Sequence, residues 1–250
     1  HYRTAFVEPN WRCTIIIPYV DWPATDFKTL DKIIDNKDFD SAFEDWKKRE
    51  IEIFFVGKTN ANMKESYQTR RTISRLLADD DMFEHKTFIY AERYHQSNDS
   101  WRYCDYDLCQ NRKHCSGCIL SKNLAENYTK MALNSKFALA IHGDTSTTSR
   151  LYDAMTNGQI PIIISSTIYF HGLPFSSRVP WLDIAFFISQ LEVGEYELGK
   201  LILKAVNSPE YILRQKFMNL RRYRRDVSWQ HPESRVIDHI MMDARDTCRL

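Results

Sequence analysis

Short apolar runs alternate along the chain with segments in which apolar residues recur three and four positions apart. The first pattern is typical of buried strands and the second of one face of a helix. Their alternation predicts an α/β protein with a parallel sheet. The predicted strands are Thr14–Ile17, Ile51–Val56, Lys86–Tyr90, Phe137–Ile141, Ile160–Ile164 and Ala185–Ile188.

Two segments between these strands have the period of crossover helices, Ser66–Ala78 and Thr148–Asn157. From residue 195 onward the pattern is helical throughout, and Pro209 and Pro232 each open a further predicted helix. We therefore expect one Rossmann-like, doubly wound parallel sheet over residues 1–250, with residues 195–250 forming a helical C-terminal tail.

Composition restricts the classes of protein that fit this pattern. The chain has 34 Lys and Arg against 33 Asp and Glu, a formal net charge of +1, which argues against a nucleic-acid partner. Glycine contributes only 7 of 250 residues, well below the average of about 7%, and neither glycine-rich nucleotide loop is found. No apolar run approaches the roughly 18 residues that cross a bilayer, so we expect any membrane anchor to lie outside this chain.

Four of the six cysteines lie close together, at Cys104, Cys109, Cys115 and Cys118, within a predicted insertion loop at residues 91–121. The spacing of the last pair is typical of half a zinc site, but the first pair is more widely spaced than usual. Disulfide bonds are the alternative, and they form in an oxidising compartment. Spacing alone leaves both open.

Two glycosylation sequons flank this cluster, Asn98-Asp99-Ser100 and Asn127-Tyr128-Thr129. Together with the cysteines they favour disulfides, a secretory protein, and Asn98 and Asn127 as glycosylation sites. Cys13 and Cys248 pair with each other or stay free thiols, and the sequence does not choose between these states.

The segment from His142 to Arg150, HGDTSTTSR, follows the predicted strand Phe137–Ile141 and opens a predicted helix. In open parallel sheets, ligands lie beyond the carboxyl ends of the strands. Unpaired N–H groups at a helix N-terminus, with hydroxyls and an arginine, suit a diphosphate. The alternative is that a residue of this segment only caps the helix; the candidate caps are Asp144, Ser146 and Thr147.

Several motifs, in the same order along the chain, resemble those of the exostosin family of glycosyltransferases. Arg150-Leu151-Tyr152-Asp153-Ala154 is similar to the family's Arg-Leu-Phe-Asp-Ala helix, and Gly158–Ser165 to its Gly-Cys-Ile-Pro-Val-Ile strand. Leu173-Pro174-Phe175 matches the motif that follows. Upstream, Ile15–Pro18 resembles the strand that enters the domain, and Phe54–Gly57 resembles its Phe-Phe-x-Gly strand end.

The resemblance implies the C-terminal, nucleotide-sugar-binding half of a GT-B glycosyltransferase. Such enzymes are typically Golgi-lumenal and invert the anomeric centre. It further implies a UDP-sugar donor, a glycan acceptor, no metal cofactor, and a second domain or subunit that supplies the rest of the cleft. The candidate nucleotide-sugar-binding residues are His142, Gly143, Asp144, Ser146, Thr147, Thr148, Ser149, Arg150, Asp153, Lys58, Arg70 and Arg71.

No Asp-x-Asp metal motif is evident; Asp79-Asp80-Asp81 and Asp105-Tyr106-Asp107 are near misses, and we expect neither to bind a catalytic metal. The catalytic base is not identified. Ser166 and Ser176 stand where many family members carry Asp and Glu, which puts the donor and the activity in doubt.

Two other functions stay open at this point. One is a non-catalytic nucleotide-sugar or glycan-binding module, or a partner subunit of a transferase complex. The other is an interaction protein that holds an acidic glycan or a nucleic acid on the basic helix Arg221–Arg225 with Lys216, and the neutral overall charge favours the glycan.

Overall fold

Five parallel strands form one sheet in the part of the chain that this computed structural model describes. The described residues are 15–21, 23–35, 37–60, 65–77, 87–93, 124–142, 148–165, 172–189 and 195–248. The strands are β1 (Ile51–Asn60), β2 (Thr87–Arg93), β3 (Ser135–Ile141), β4 (Ile160–Ile164) and β5 (Phe186–Ile188). Their order across the sheet is β2-β1-β3-β4-β5.

Helices connect the strands and cover both faces of the sheet. They are α1 (Phe27–Ile34), α2 (Phe39–Lys47), α3 (Glu65–Leu77), α4 (Leu124–Leu133), α5 (Ser149–Thr156), α6 (Trp181–Ile184), α7 (Glu195–Val206), α8 (Glu210–Val227) and α9 (Val236–Cys248). The chain leaves β1 through α3 to reach β2 on one side, and leaves β3 through α5 to reach β4 on the other. The direction of winding therefore reverses between β1 and β3, which is the topological switch point of the sheet.

Strand β1 shows how the two faces are filled. Ile53 and Phe55 belong to the larger apolar core, which also holds Ile73 of α3. Phe54 points to the opposite face, where it joins a second cluster with Ala132 of α4. Because neighbouring residues of a strand face opposite sides, both faces of β1 are covered by helices. The predicted doubly wound sheet with a helical tail is confirmed.

Most predicted elements are found, with small shifts at their ends. The strand prediction for Thr14–Ile17 is wrong: residues 15–17 belong to no strand, and Thr14 lies outside the described residues. Ile17 is half exposed, so this apolar run is not a buried strand. The predicted insertion loop is also shorter at its start, because β2 continues to Arg93.

A buried aspartate fastens the segment 15–21 to the rest of the fold. The Asp21 carboxylate is 1% exposed and accepts hydrogen bonds from the hydroxyls of Thr156 at 2.7 Å and Ser228 at 2.6 Å, and from the backbone N–H of Trp229 at 2.9 Å. The Trp229 indole N–H donates to the Pro18 carbonyl at 2.8 Å. These bonds hold the segment against the ends of α5 and α8.

Several predictions fall on residues outside the described part of the chain. They concern the cysteine cluster, Cys13, Asn98, both acidic near misses and Ser166. Asn127 and Cys248 lie in α4 and α9, but their side chains are not described. The described helices include none with the length and apolar character that a bilayer-spanning segment needs.

Candidate functional site

The carboxyl ends of β1 and β3 part from each other at the switch point. Their pairing runs only to Phe54 and Ala138, whereas β1 goes on pairing with β2 as far as Asn60. A crevice therefore opens beyond these strand ends, where ligands of open α/β sheets bind.

A buried arginine is fixed beside this crevice. Arg70 of α3 is 8% exposed, and its Nη2 donates to the carbonyl oxygen of Ile141, the last residue of β3, at 3.1 Å. A Cβ atom at Gly57 would lie 3.8 Å from Nη1 of Arg70 and only 3.0 Å from the ring of Phe55. The missing side chain at Gly57 thus leaves room where the guanidinium reaches the strand ends, so α3 delivers a positive charge to the crevice.

The N-terminus of α5 follows β3 at the same edge of the sheet. Thr148 is the N-cap residue: its backbone is extended, and its hydroxyl accepts a hydrogen bond from the Arg150 N–H at 3.4 Å. The cap is therefore none of the three candidates Asp144, Ser146 and Thr147, which lie outside the described residues together with Gly143. One hydroxyl satisfies one of the first-turn N–H groups, so a cap alone does not explain the whole hydroxyl-rich segment.

Arg150 lies in the first turn of α5, but it is held by its own protein neighbours. Its Nη1 donates to Asp153 at 2.6 Å and to the Tyr128 hydroxyl at 3.4 Å, and the guanidinium lies 5.8 Å from the Tyr128 ring centre. Burial disfavours its charge, but Tyr128 and Asp153 outweigh burial and raise the pKa of Arg150. Arg150 is therefore a fixed, permanently charged group.

Asp153, the partner of Arg150, is 3% exposed. Its carboxylate accepts from Arg150 and from Tyr128, the latter at 3.3 Å. Burial first, and then the negative charge of Asp153, raise the pKa of Tyr128, so its hydroxyl keeps its proton. Asp153 thus orients Arg150 through an ion pair.

Tyr128 is the residue that the sequence analysis missed. It comes from α4, which was not predicted, and its ring packs edge-on against Phe54 at 5.4 Å. The signal was present, because Tyr128, Met131 and Ala132 are spaced for one helix face. All three belong to the second apolar cluster.

Four other predicted site residues fall within the described part of the chain, namely His142, Ser149, Arg71 and Lys58. His142 directly follows β3, is half-buried, and its backbone N–H donates to the Ile164 carbonyl at 3.4 Å. Ser149 is half-buried at the start of α5, and Arg71 is half-buried on α3 beside Arg70. Lys58 lies in β1, but its side chain is not described.

Within the described part of the chain, one group of side chains has the residue types of a metal site, but this group lies away from the crevice. Atoms of Asp31, Asp35 and His231 lie within 4.8 Å of one another. Arg224, which is fully buried, pairs with Asp31 at 3.2 Å and with Asp35 at 3.1 Å. Arg225 also pairs with Asp35, at 3.1 Å, so two guanidinium groups balance the two carboxylates, and the group is an ion-pair network rather than a cation site.

The basic helix singled out in the sequence does not present all its cations to solvent. Arg224 lies inside the network described above. Lys216 is 9% exposed, and its Nζ donates to the carbonyl oxygens of Leu182 and Ala185, each at 2.8 Å. These two cations hold α8 to the fold and are not available to a partner.

A protein-family model and several solved structures are similar to this chain. A family model described as the exostosin GT47 domain matches residues 43–205. No curated protein matches the chain. Two similar solved structures are WaaG, described as a glycosyltransferase involved in lipopolysaccharide biosynthesis, and the spinosyn forosaminyltransferase SpnP.

These two likenesses are distant. WaaG is 10% identical with a TM-score of 0.48, and the match covers 92% of this chain and 55% of WaaG. SpnP is 12% identical with a TM-score of 0.43, and the match covers 80% of this chain and 46% of SpnP. The chain thus spans about half the length of either protein.

Proposed function

The chain belongs to the exostosin GT47 family, and from that premise we propose that it is the donor-binding half of a glycosyltransferase. The donor is a UDP-sugar, whose diphosphate lies in the crevice between the ends of β1 and β3. The acceptor is a glycan, and the whole enzyme acts in the Golgi lumen.

The observation that carries this proposal is the position of Arg70. Its buried guanidinium lies at the carboxyl end of β3, at the switch point of the sheet. Arg150 lies at the N-terminus of α5, next along the chain after β3. Planar guanidinium groups bind phosphate oxygens in pairs, and helix N-termini favour anions.

The chemistry we propose follows from where charge develops. When the bond between sugar and phosphate breaks, negative charge builds up on the UDP leaving group. Arg70, Arg150 and the first-turn N–H groups of α5 would stabilise that charge without having to move. Asp153 and Tyr128 would keep Arg150 in place, and no divalent metal would be needed.

We further propose that the transfer inverts the anomeric centre. An inverting transfer needs a base within hydrogen-bond reach of the acceptor hydroxyl. The proposed base and most of the acceptor site belong to a second domain or subunit, as in the GT-B arrangement that the family resemblance implies.

Calorimetric titration of the chain with UDP, GDP and CMP, with and without EDTA, tests the proposal. We expect UDP to bind more tightly than the other two nucleotides and its affinity to be unchanged by EDTA. Equal affinity for all three would contradict the uridine preference, and a loss of binding in EDTA would contradict metal independence.

Variants connect the binding to the crevice. Arg70→Gln should weaken UDP binding at least tenfold, because charged hydrogen bonds contribute about 1.5 to 3 kcal/mol. Arg245→Gln is the matched control, since its side chain is 73% exposed on α9. UDP binding that is equal in both variants would place the nucleotide elsewhere.

A further inference from the structure

A groove of about 680 Å³ lies beside α8, at the opposite end of the strands from the crevice. Four arginines line it, and we call it the arginine groove; they are Arg221, Arg222, Arg225 and Arg235. Two carboxylates, of Asp35 and Glu233, share the lining. Nothing in the proposed donor site uses any of these residues.

The spacing along α8 explains why the groove exists. Met218, Arg221, Arg222 and Arg225 occupy positions i, i+3, i+4 and i+7, so they share one face of the helix. They span about 10 Å along the helix axis. Arg235 follows α8 and joins them, since its Nη2 donates to the Arg222 carbonyl at 3.2 Å.

The contacts of the arginines leave the groove with excess positive charge. Arg221 donates to the backbone carbonyls of Asp35 at 2.8 Å and Lys37 at 2.9 Å, which fixes its guanidinium without neutralising it. Arg222 is exposed, and its one described side-chain contact is with the Tyr223 ring, 5.4 Å from the ring centre.

The other two arginines are paired with carboxylates. Arg225 pairs with Glu233 and with Asp35, the latter at 3.1 Å, and Arg235 pairs with buried Asp226 at 2.7 Å. Four guanidinium groups thus line the groove with two carboxylates.

The groove lies at the edge of the sheet where the strands begin. Asp35 directly follows α1, and Ile34 at the end of α1 would touch a Cβ atom placed on Gly158, which shortly precedes β4. The crevice lies at the other edge, beyond the ends of β1 and β3. A ligand in the groove is therefore separate from a nucleotide in the crevice.

We propose that the arginine groove binds a short segment of an anionic oligosaccharide. The guanidinium groups pair with carboxylate or sulfate groups of the ligand. Asp35 and Glu233 accept hydrogen bonds from sugar hydroxyls, and Met218, which is 41% exposed, offers apolar surface to a sugar ring.

A saccharide fits this lining better than a nucleic acid. The many hydroxyl groups of a saccharide can donate to the two carboxylates of the groove, whereas the phosphates of a nucleic-acid backbone only accept hydrogen bonds. The carboxylates therefore favour a ligand that carries hydroxyls beside its anionic groups. The near-neutral chain also lacks the broad positive surface on which nucleic-acid binding depends.

Titration of the chain with defined polyanions tests the proposal. The salt concentration is 0.15 M, at which weak interactions between surface charges are largely screened. The probes are a heparin-derived octasaccharide, a hyaluronan octasaccharide and a single-stranded DNA 12-mer. Binding of either oligosaccharide supports the proposal. Binding of the heparin probe shows recognition of sulfate groups, and binding of the hyaluronan probe shows recognition of carboxylate groups alone.

The decisive variant is Arg222→Gln, because this side chain is exposed and its removal leaves no buried carboxylate unpaired. We expect oligosaccharide affinity to fall about tenfold, as one charged contact is lost. Arg245→Gln removes an equal exposed charge from α9 and should bind as the wild-type chain does.

Three results would overturn the proposal: neither oligosaccharide binds, the DNA binds more tightly than both, or the two variants lose affinity equally. UDP titration of the same samples keeps this outcome apart from that of the donor site. A chain that binds UDP but no oligosaccharide refutes only the arginine groove, and the reverse refutes only the crevice.

Discussion

Gly158 occupies a backbone position that other residues resist. It follows α5 with a φ of +70°, and a Cβ atom there would lie 2.8 Å from Cδ1 of Ile34 and 3.2 Å from Nη2 of Arg49. Arg49 is itself buried and donates to the Gly158 carbonyl at 2.9 Å and to the Ser135 carbonyl at 2.7 Å. Glycine is therefore required here by conformation and by space.

Replacing Gly158 with alanine should lower the free energy of unfolding by about 2 to 4 kcal/mol, the sum of left-handed strain and overpacking. Urea denaturation measures the change. Ile34→Val removes the methyl group that the new Cβ would meet, so the double variant should lose less than the two single changes added together. An alanine variant with an unchanged urea midpoint would contradict this account.

Arg150 combines a structural contact with its proposed binding role. Arg150→Ala removes a cation that pairs with the buried carboxylate of Asp153, so we expect a loss of about 1 to 3 kcal/mol in stability. The double variant Arg150→Ala with Asp153→Asn should recover part of that loss, because it also removes the buried negative charge.

Thermal unfolding and UDP titration of both variants separate the two roles. The double variant should regain stability while UDP binding stays weak. Recovery of UDP affinity together with stability would show that Arg150 acts only through the fold.

At the scale of elements, the sequence predicted best where burial alone decides. Ile160–Ile164 is apolar at every position and fully buried, and its predicted bounds match β4. Helices α1 and α2 were not predicted, although their apolar residues recur at helical spacing: Phe27, Leu30 and Ile34 in α1, and Phe39, Phe43 and Trp46 in α2. Their cap signals were present, since Asp26 and Asp38 accept from the backbone N–H groups of Thr29 and Ser41.

Long-range polar contacts explain the failed strand prediction. The apolar residues 15–17 were assigned to the sheet, but the Asp21 contacts that hold the segment come from residues more than a hundred positions away. Periodicity contains no information about such partners. For the same reason, the sequence pattern did not predict the ion pairs that Arg224 makes with Asp31 and Asp35.

Asp21→Asn tests the importance of that attachment. An amide in place of the carboxylate would turn an N–H group toward one of the donors, so we expect a loss of about 2 to 3 kcal/mol in unfolding free energy. Chemical denaturation followed by tryptophan fluorescence measures it, because Trp229 lies in the same contact. Asp238→Asn, an exposed change on α9, should shift stability by less than about 0.5 kcal/mol.

At the scale of the whole molecule, the sequence located the candidate site better than it described it. The parallel α/β class followed from the alternating elements, and the helix after β3 was predicted within one residue at each end, whereas the strand order that creates the crevice was not predicted. The cap at Thr148, the bond from Arg70 to Ile141 and the pairing of Arg150 depend on tertiary geometry, which one sequence does not contain.

The placement of two sites at opposite edges of the sheet predicts independent binding. Saturating the chain with oligosaccharide should change the UDP dissociation constant by less than about twofold, because a coupling free energy needs a shared conformational change. Titration of UDP with and without the octasaccharide measures it. A larger shift in affinity would mean that the two edges communicate or share one site.

A crystal structure of the chain grown with UDP would show where the diphosphate binds. We expect the diphosphate beyond the ends of β1 and β3, within hydrogen-bond distance of the first turn of α5 and of the guanidinium groups of Arg70 or Arg150. UDP bound in the arginine groove, or anywhere else with the crevice empty, would contradict the claim that this crevice is the donor site.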